Sequence, residues 1–120
     1  MRLRFPKAAR LTKAAEFRRV KAQGNSFHGK LLILSVLKTP GSPETKIGLI
    51  TTRRLGNAVA RNRTRRRLRE IVRAVLPRLG RGIHLVIIAR KDAATAAFEE
   101  LRKEWSRLAN RAALSGGDEF

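Results

Sequence analysis

Six of the nine residues from Arg61 to Arg69 are arginine, and this run constrains the middle of the chain more than any other feature. On a helix of 3.6 residues per turn, one stripe holds the residues suited to a core: Ala60, Thr64, Leu68, Ile71 and Val75. The opposite side carries Asn62, Arg66, Arg69 and Arg73, flanked by Arg63 and Arg65. The run therefore predicts a two-faced helix, which Gly56-Asn57 opens and Pro77 ends.

The cationic side of this helix is suited to a nucleic-acid backbone. From Asn62 to Arg73 it spans roughly 16 Å, at about 1.5 Å per residue. Each guanidinium can donate two hydrogen bonds to one phosphate and can stack on bases. A solvated basic face usually interleaves acids at i,i+4, but only Glu70 lies near this one. The free N–H groups near Asn57 and Arg61, together with Arg53 and Arg54, extend the patch.

The charge of the whole chain agrees with a polyanionic partner. Against 28 Lys and Arg stand 9 Asp and Glu, a formal net charge of +19 over 120 residues. Such an excess repels itself in a folded state unless a partner neutralises it. Residues 1–91 hold 24 of the basic residues and three of the acids. We therefore expect nucleic acid, ahead of an anionic membrane surface, to bind the first three quarters of the chain.

Protein-based catalysis and membrane insertion are not indicated. There is no cysteine, neither His28 nor His84 has an evident acidic partner, and the acids cluster near the C-terminus. No carboxylate pair for metal-assisted hydrolysis is evident, so we expect neither catalytic residues nor a protein metal site. The apolar runs are too short to span a bilayer, and no secretory signal is evident. We expect a cytoplasmic protein without a membrane partner.

The remaining periodicity predicts a small α/β (α+β) two-layer sandwich with a single sheet. The predicted elements are a helix that Thr12 caps and that runs through about Gln23, strands over 31–37 and 46–52, the arginine helix, a strand over 83–89, and a last helix with Phe98, Leu101, Trp105, Leu108 and Ala112 on one side. Their order is α-β-β-α-β-α. We expect the first two strands to form a hairpin, and general rules predict a right-handed β-α-β crossover. One RNA-binding domain would span 1–114, with a disordered tail over 115–120.

The segment RRLGNAVARNRTRR, Arg53–Arg66, resembles the RNR signature of the bacterial ribonuclease P protein family. Further similarity covers nearly the whole chain, including Ile47–Leu49 and Ile87–Lys91. The resemblance implies a ribonucleoprotein enzyme that removes the 5′ leader from precursor tRNA. Its RNA subunit does the chemistry with Mg²⁺, and its protein subunit raises substrate affinity and assists metal binding. It also implies a ribosomal protein S5 domain 2-like fold with a left-handed crossover, which overrides the general rule.

The resemblance further implies two RNA-binding sites. The catalytic RNA would contact Arg53, Arg54, Asn57, Arg61, Asn62, Arg63, Arg65, Arg66, Arg69 and Arg73. The single-stranded leader would lie in a cleft between the first helix and the sheet, on Phe17, Val20, Lys21, Arg90 and Lys91. Relatives often carry aromatic residues where this chain has Lys21 and Ser35, so phosphate contacts would replace part of the base stacking here.

Two other functions fit the composition. A structural ribosomal protein that binds ribosomal RNA would share the size, charge and small α/β fold. A free-standing protein nuclease would need histidines and acids placed for catalysis, which the sequence lacks. The Gly-Asn-Ala-Val-x-Arg-Asn-Arg block between two strands favours the ribonuclease P subunit over both.

Overall fold

Three helices and four strands make up most of residues 9–39, 41 and 43–114, the part of the chain that the computed structural model describes. In chain order they are α1 (Ala14–Gln23), β1 (Asn25–His28), β2 (Leu32–Lys38), β3 (Lys46–Ile50), α2 (Ala58–Val75), β4 (Ile83–Ala89) and α3 (Phe98–Arg111). Short 3₁₀ helices lie at Arg53–Leu55, Leu76–Arg78 and Lys91–Ala94. The tail predicted over 115–120 lies outside the described residues.

The four strands form one mixed sheet in the order β1-β2-β4-β3. β2 pairs antiparallel with β1 and with β4, and β3 pairs parallel with β4. The predicted hairpin between residues 31–37 and 46–52 is therefore wrong, because β4 lies between these two strands. β4 is buried at five of its seven positions, and a run so apolar is most stable at the centre of a sheet.

β1 was not predicted, because its sequence, NSFH, lacks an apolar pattern. Three of its four residues are exposed and Phe27 is half-buried. It forms the hairpin with β2 that the sequence analysis assigned to β3. β3, α2 and β4 do form the expected parallel crossover unit, and the hand of that crossover stays a prediction.

Helices cover both faces of the sheet. α2 and α3 contribute Leu68, Leu101 and Trp105 to the larger core, against Leu34 and Leu85 of the strands. Trp105 is 1% exposed, so its predicted place in the core is confirmed. On the other face α1 seats Val20 against Val86 in a smaller core. The predicted two-layer sandwich thus has a third, partial layer formed by α1.

α1 begins one residue later than predicted from the Thr12 cap. Its N-cap is Lys13, whose backbone N–H donates to the Glu16 carboxylate at 3.2 Å. It ends at Gln23, as predicted, and Gly24 follows. A Cβ on Gly24 would lie 2.5 Å from the Val20 carbonyl oxygen and 2.6 Å from that of Val36. Glycine is therefore required here by the close approach of α1 to β2.

Glu104 of α3 joins the helical layer to the turn between β1 and β2. Its buried carboxylate accepts backbone N–H groups of Lys30 at 3.1 Å and of Leu31 and Leu32 at 2.6 Å each. Arg107 donates to the same carboxylate at 3.1 Å. A charged group taken out of water is stable only with such a set of partners. The C-terminal helix therefore supplies a buried anchor for the sheet.

We predict that Glu104→Gln destabilises the fold by about 2–4 kcal/mol, because the amide replaces a charged acceptor of three backbone N–H groups. Urea unfolding would measure the change. Glu99→Gln is the matched control, since Glu99 also pairs with an arginine three residues later but on the surface. Equal midpoints for the two variants would contradict the anchoring role.

Candidate nucleic-acid interface

The N-terminus of α2 is fixed by the two residues that the sequence analysis assigned to it. The Asn57 side chain accepts the Ala60 N–H at 2.9 Å and so caps the helix. Gly56 has φ +133°, a region that residues with a Cβ rarely adopt. Its carbonyl accepts a hydrogen bond from the Arg61 guanidinium at 2.9 Å. Asn57 and Arg61 therefore have structural roles in addition to their predicted RNA contacts.

The predicted core stripe of α2 is confirmed and is wider than expected. Thr64, Leu68 and Ile71 are buried, and Ala60 and Val75 at its ends are half-buried. Val72, which was not predicted, is fully buried because it lies four residues beyond Leu68 on the same side. The Thr64 hydroxyl donates to the Ala60 carbonyl at 2.9 Å, which satisfies it within the core.

Two arginines beside this stripe bind the protein itself. The Arg63 guanidinium donates to the Ala94 carbonyl at 3.2 Å, and that of Arg67 donates to the Ala96 carbonyl at 2.9 Å. Both carbonyls belong to the connection that leads into α3. Arg63 was predicted to bind RNA, and Arg67 was not singled out. Their i,i+4 spacing next to the stripe is the sequence signal that could have indicated these contacts.

The outer side of α2 carries the remaining arginines. Asn62, Arg66 and Arg69 are exposed, and Arg73 is half-buried. Within the described part of the chain, Arg66 forms neither a hydrogen bond nor an ion pair. We call Asn62, Arg66, Arg69 and Arg73 the α2 ridge. The structure thus leaves the exposed part of the predicted ridge facing solvent, and no hydrogen bond or ion pair within the described residues engages Arg66.

Arg65 and Arg69 line a pocket of about 230 Å³ along the outer edge of β3, where Arg10 forms a β-bridge with Ile47. The Arg65 guanidinium donates to the Thr51 hydroxyl at 2.8 Å and also to the Asn62 side-chain oxygen. Partial burial lowers the pKa of Arg69, and the charges of Arg10, Arg65 and Arg73 lower it further. Several guanidinium groups therefore lie close together at this pocket, and no acidic side chain is among the causes of the pKa shift of Arg69.

Phe17 of α1 lies at the border of the same pocket. A Cβ on Gly48 of β3 would lie 2.4 Å from the Phe17 ring, so the ring rests directly on the backbone of the strand. Gly48 is therefore a site of close approach rather than a turn. One side of the Phe17 ring is occupied by this packing.

A larger groove of about 1030 Å³ opens on the same face of the sheet. It is lined by His28, Ile33, Thr52, Arg54, Ile88, Ala89, Arg90 and Lys91. Ile33 and Ile88 pair across β2 and β4 and form a half-buried apolar floor. Arg54, Arg90 and Lys91 are exposed and supply its positive charge. Arg90 also donates to the Gly29 carbonyl at 2.9 Å.

The five predicted leader-binding residues differ in their surroundings within the part of the chain that the structure describes. Arg90 and Lys91 line the groove, Phe17 borders the smaller pocket, and Lys21 is exposed in the last turn of α1. Val20 is 0% exposed, so its side chain has no surface to offer a leader and instead holds α1 on the sheet.

Ser35, at a position where relatives often carry an aromatic residue, lies on this same face of the sheet. It is 2% exposed, and its hydroxyl lies 3.0 Å from that of Ser26 on β1. It therefore presents no stacking surface.

The family model described as Ribonuclease P matches residues 5–113, nearly the whole chain. The chain belongs to the ribonuclease P protein family. The ribonuclease P protein component of Symbiobacterium thermophilum is 43% identical over 108 residues, which cover 90% of this chain and 94% of the relative. That of Chloroflexus aggregans is 43% identical over 110 residues, which cover 90% and 80%.

Solved structures of ribonuclease P proteins share this fold. The protein from Staphylococcus aureus aligns with a TM-score of 0.84 at 23% identity, over 92% of this chain and 100% of that one. The protein from Thermotoga maritima aligns with a TM-score of 0.76 at 25% identity, over 85% and 96%. The predicted family and the α+β class with a single sheet are confirmed.

The family membership has direct consequences for function. A ribonuclease P protein component is a subunit of an endoribonuclease of tRNA processing, which implies an RNA partner. A structural ribosomal protein, the main alternative from composition, is not supported. Among the helices of the described residues, none has the length and apolar character needed to cross a membrane.

We predict that Arg69→Gln stabilises the free protein at low salt by less than about 1 kcal/mol, because it relieves repulsion at a largely exposed site. The gain should shrink as salt screens the charges. Urea unfolding at low and at high NaCl would measure it, with Arg18→Gln, an exposed arginine on α1, as control. The same salt dependence in the Arg69 variant and the wild type would contradict this account.

Proposed function

We propose that this chain is the protein subunit of a ribonucleoprotein that cleaves the 5′ leader from precursor tRNA in the cytoplasm, and that the α2 ridge docks on its catalytic RNA. The observation that carries the docking proposal is the exposed ridge itself. Asn62, Arg66 and Arg69 face solvent along one side of a helix whose other side is buried. Folding alone does not require exposed arginines on this face of the helix.

Arg53, Arg54, Asn57 and Arg61 extend the docking surface toward the sheet in this proposal. All but Arg61 are exposed, and all lie at the N-terminal end of α2. Arg63 and Arg65 contribute charge while they remain bound to Ala94 and Thr51. The RNA backbone would thus meet a surface whose arginines are partly held in place before it binds, which lowers the entropic cost of association.

The leader, in the same proposal, lies in the groove above Ile33 and Ile88. Arg54, Arg90 and Lys91 would hold its phosphates, and the apolar floor would accept sugars or bases. Lys21 and Phe17 would extend this path along α1. Ile50 of β3 pairs with Ile88 of the groove floor and lies two residues, roughly 7 Å, along the strand from Gly48, on which Phe17 rests. Phosphate and apolar contacts would carry most of the affinity, with little aromatic stacking.

Mg²⁺ would be held mainly by the RNA subunit. Within residues 9–39, 41 and 43–114 there is no group of three or more His, Cys, Asp or Glu side chains that could hold a metal ion. The contribution proposed for the protein is positive charge, which reduces the repulsion between two RNA molecules as they associate.

Reconstitution with a bacterial ribonuclease P RNA tests the proposal. We predict that the protein stimulates leader removal from precursor tRNA at low Mg²⁺ over RNA alone.

Arg66→Gln should weaken RNA binding and reduce the slope of log affinity against log salt by about 0.7–0.9, since one phosphate contact is lost.

Arg67→Gln is the matched control on the neighbouring residue. Arg67 binds the Ala96 carbonyl, so its loss should lower the urea midpoint while the salt slope stays near that of the wild type. Absence of any stimulation would refute the proposed function. Full stimulation by an Arg61→Ala, Arg66→Ala double variant would refute the assignment of the α2 ridge.

A further inference from the structure

Val59 is the one large hydrophobic side chain that is strongly exposed among the described residues, at 74%. It is the second residue of α2, directly after Ala58. Single exposed apolar residues are common on protein surfaces and need no special explanation. The position of Val59 distinguishes it, and three observations bear on what it does.

The first observation is its alignment with the α2 ridge. Asn62, Arg66 and Arg73 follow Val59 by three, seven and fourteen residues. At about 100° per residue these offsets place all four side chains within roughly 60° of one another. Val59 therefore heads the ridge, about 5 Å before Asn62 along the helix axis. Whatever binds the ridge lengthwise also reaches Val59.

The second observation is that helix formation does not favour valine at this position. A β-branched side chain loses rotamer freedom in a helix. The first turn of a helix favours acids, which complement its dipole. α1 carries Glu16 there and α3 carries Glu99 and Glu100, whereas α2 carries no acid. A residue that departs from the local preference without a packing gain often marks a functional surface.

The third observation concerns the chemistry of the partner. Along the chain Val59 lies between exposed Arg53 and Arg54 and the cationic ridge, so we expect its partner to be anionic around an apolar contact. A second copy of the chain would bring two such ridges together at a net charge of +19 each. A nucleotide offers both features, because its phosphate is anionic while the faces of its base and ribose are largely apolar.

We propose that Val59 packs against a base or ribose face of the RNA subunit when the α2 ridge binds the flanking phosphates. This inference rests on the proposed function and adds an uncharged contact to its electrostatic interface. Such a contact would make binding depend on the nucleotide beside Val59, whereas phosphate contacts position the protein but carry no sequence information.

Equilibrium binding of Val59 variants to ribonuclease P RNA over a series of salt concentrations tests the inference. We expect Val59→Ala to weaken binding roughly 15-fold at every salt concentration, from the loss of roughly two buried methyl groups. The slope of log affinity against log salt should stay that of the wild type, because no charge is lost. Val59→Leu should keep most of the affinity, and Val59→Thr should lose about as much as Val59→Ala.

A loss of folding would not account for weaker RNA binding by Val59→Ala. Alanine is the better helix former, so Val59→Ala should unfold at the same or a higher urea concentration than the wild type. Wild-type affinity of the alanine and threonine variants, alongside weakened binding by Arg66→Gln, would overturn the role of Val59 and leave the proposed function intact. A change of salt slope in Val59→Ala, or a Val59-dependent dimer in sedimentation, would also overturn it. Failure of the wild type to bind the RNA would instead remove the proposed function.

Discussion

The packing of Leu68, Ile71 and Val72 into the main core determines which arginines of α2 are available to a partner. An α-helix fixes the angular relation between its residues, so burial of one stripe orients every other side chain. Arg66 and Arg69 face outward because Leu68 faces inward. The same constraint brings Arg63 and Arg67 beside the connection to α3, where their guanidinium groups find carbonyl acceptors. The arginines of this helix thus fall into two groups, those that hydrogen-bond to the protein's own backbone and those that face solvent.

The cost of this arrangement is electrostatic. Partial burial and the nearby charges of Arg10, Arg65 and Arg73 lower the pKa of Arg69. Elsewhere acidic side chains make stabilising contacts. The Glu104 carboxylate accepts three backbone N–H groups, and Glu99 pairs with Arg102 on the surface of α3. The free protein therefore combines an anchored scaffold with a face under repulsion. A bound polyanion would relieve that repulsion, so stability and RNA binding make opposite demands on the same arginines.

The open face of the sheet shows how a small fold can offer a second surface. α1 covers only part of it, seated by Val20 and by the Phe17 ring on Gly48. The uncovered part has an apolar floor with basic residues at its rim, drawn from segments that follow β3 and β4. Its composition differs from that of the α2 ridge, which is polar and basic and has exposed Val59 beside it as an apolar side chain. The groove and the α2 ridge are therefore chemically different surfaces, and the proposed function assigns the single-stranded leader to the groove and phosphates of the catalytic RNA to the ridge.

The sequence by itself determined the two-faced nature of α2, its start at Gly56-Asn57, the burial of Trp105 and the family. These features depend on local spacing, on capping chemistry and on a motif, all of which are present in consecutive residues. Only the tertiary structure decided that β4 separates β2 from β3, that NSFH is a strand, and that Val20 is inaccessible. It alone revealed the anchor at Glu104, which contacts residues more than 70 positions earlier. Periodicity indicates which side of an element is buried, but not the partner that buries it, because that partner is chosen by packing between segments far apart in the chain.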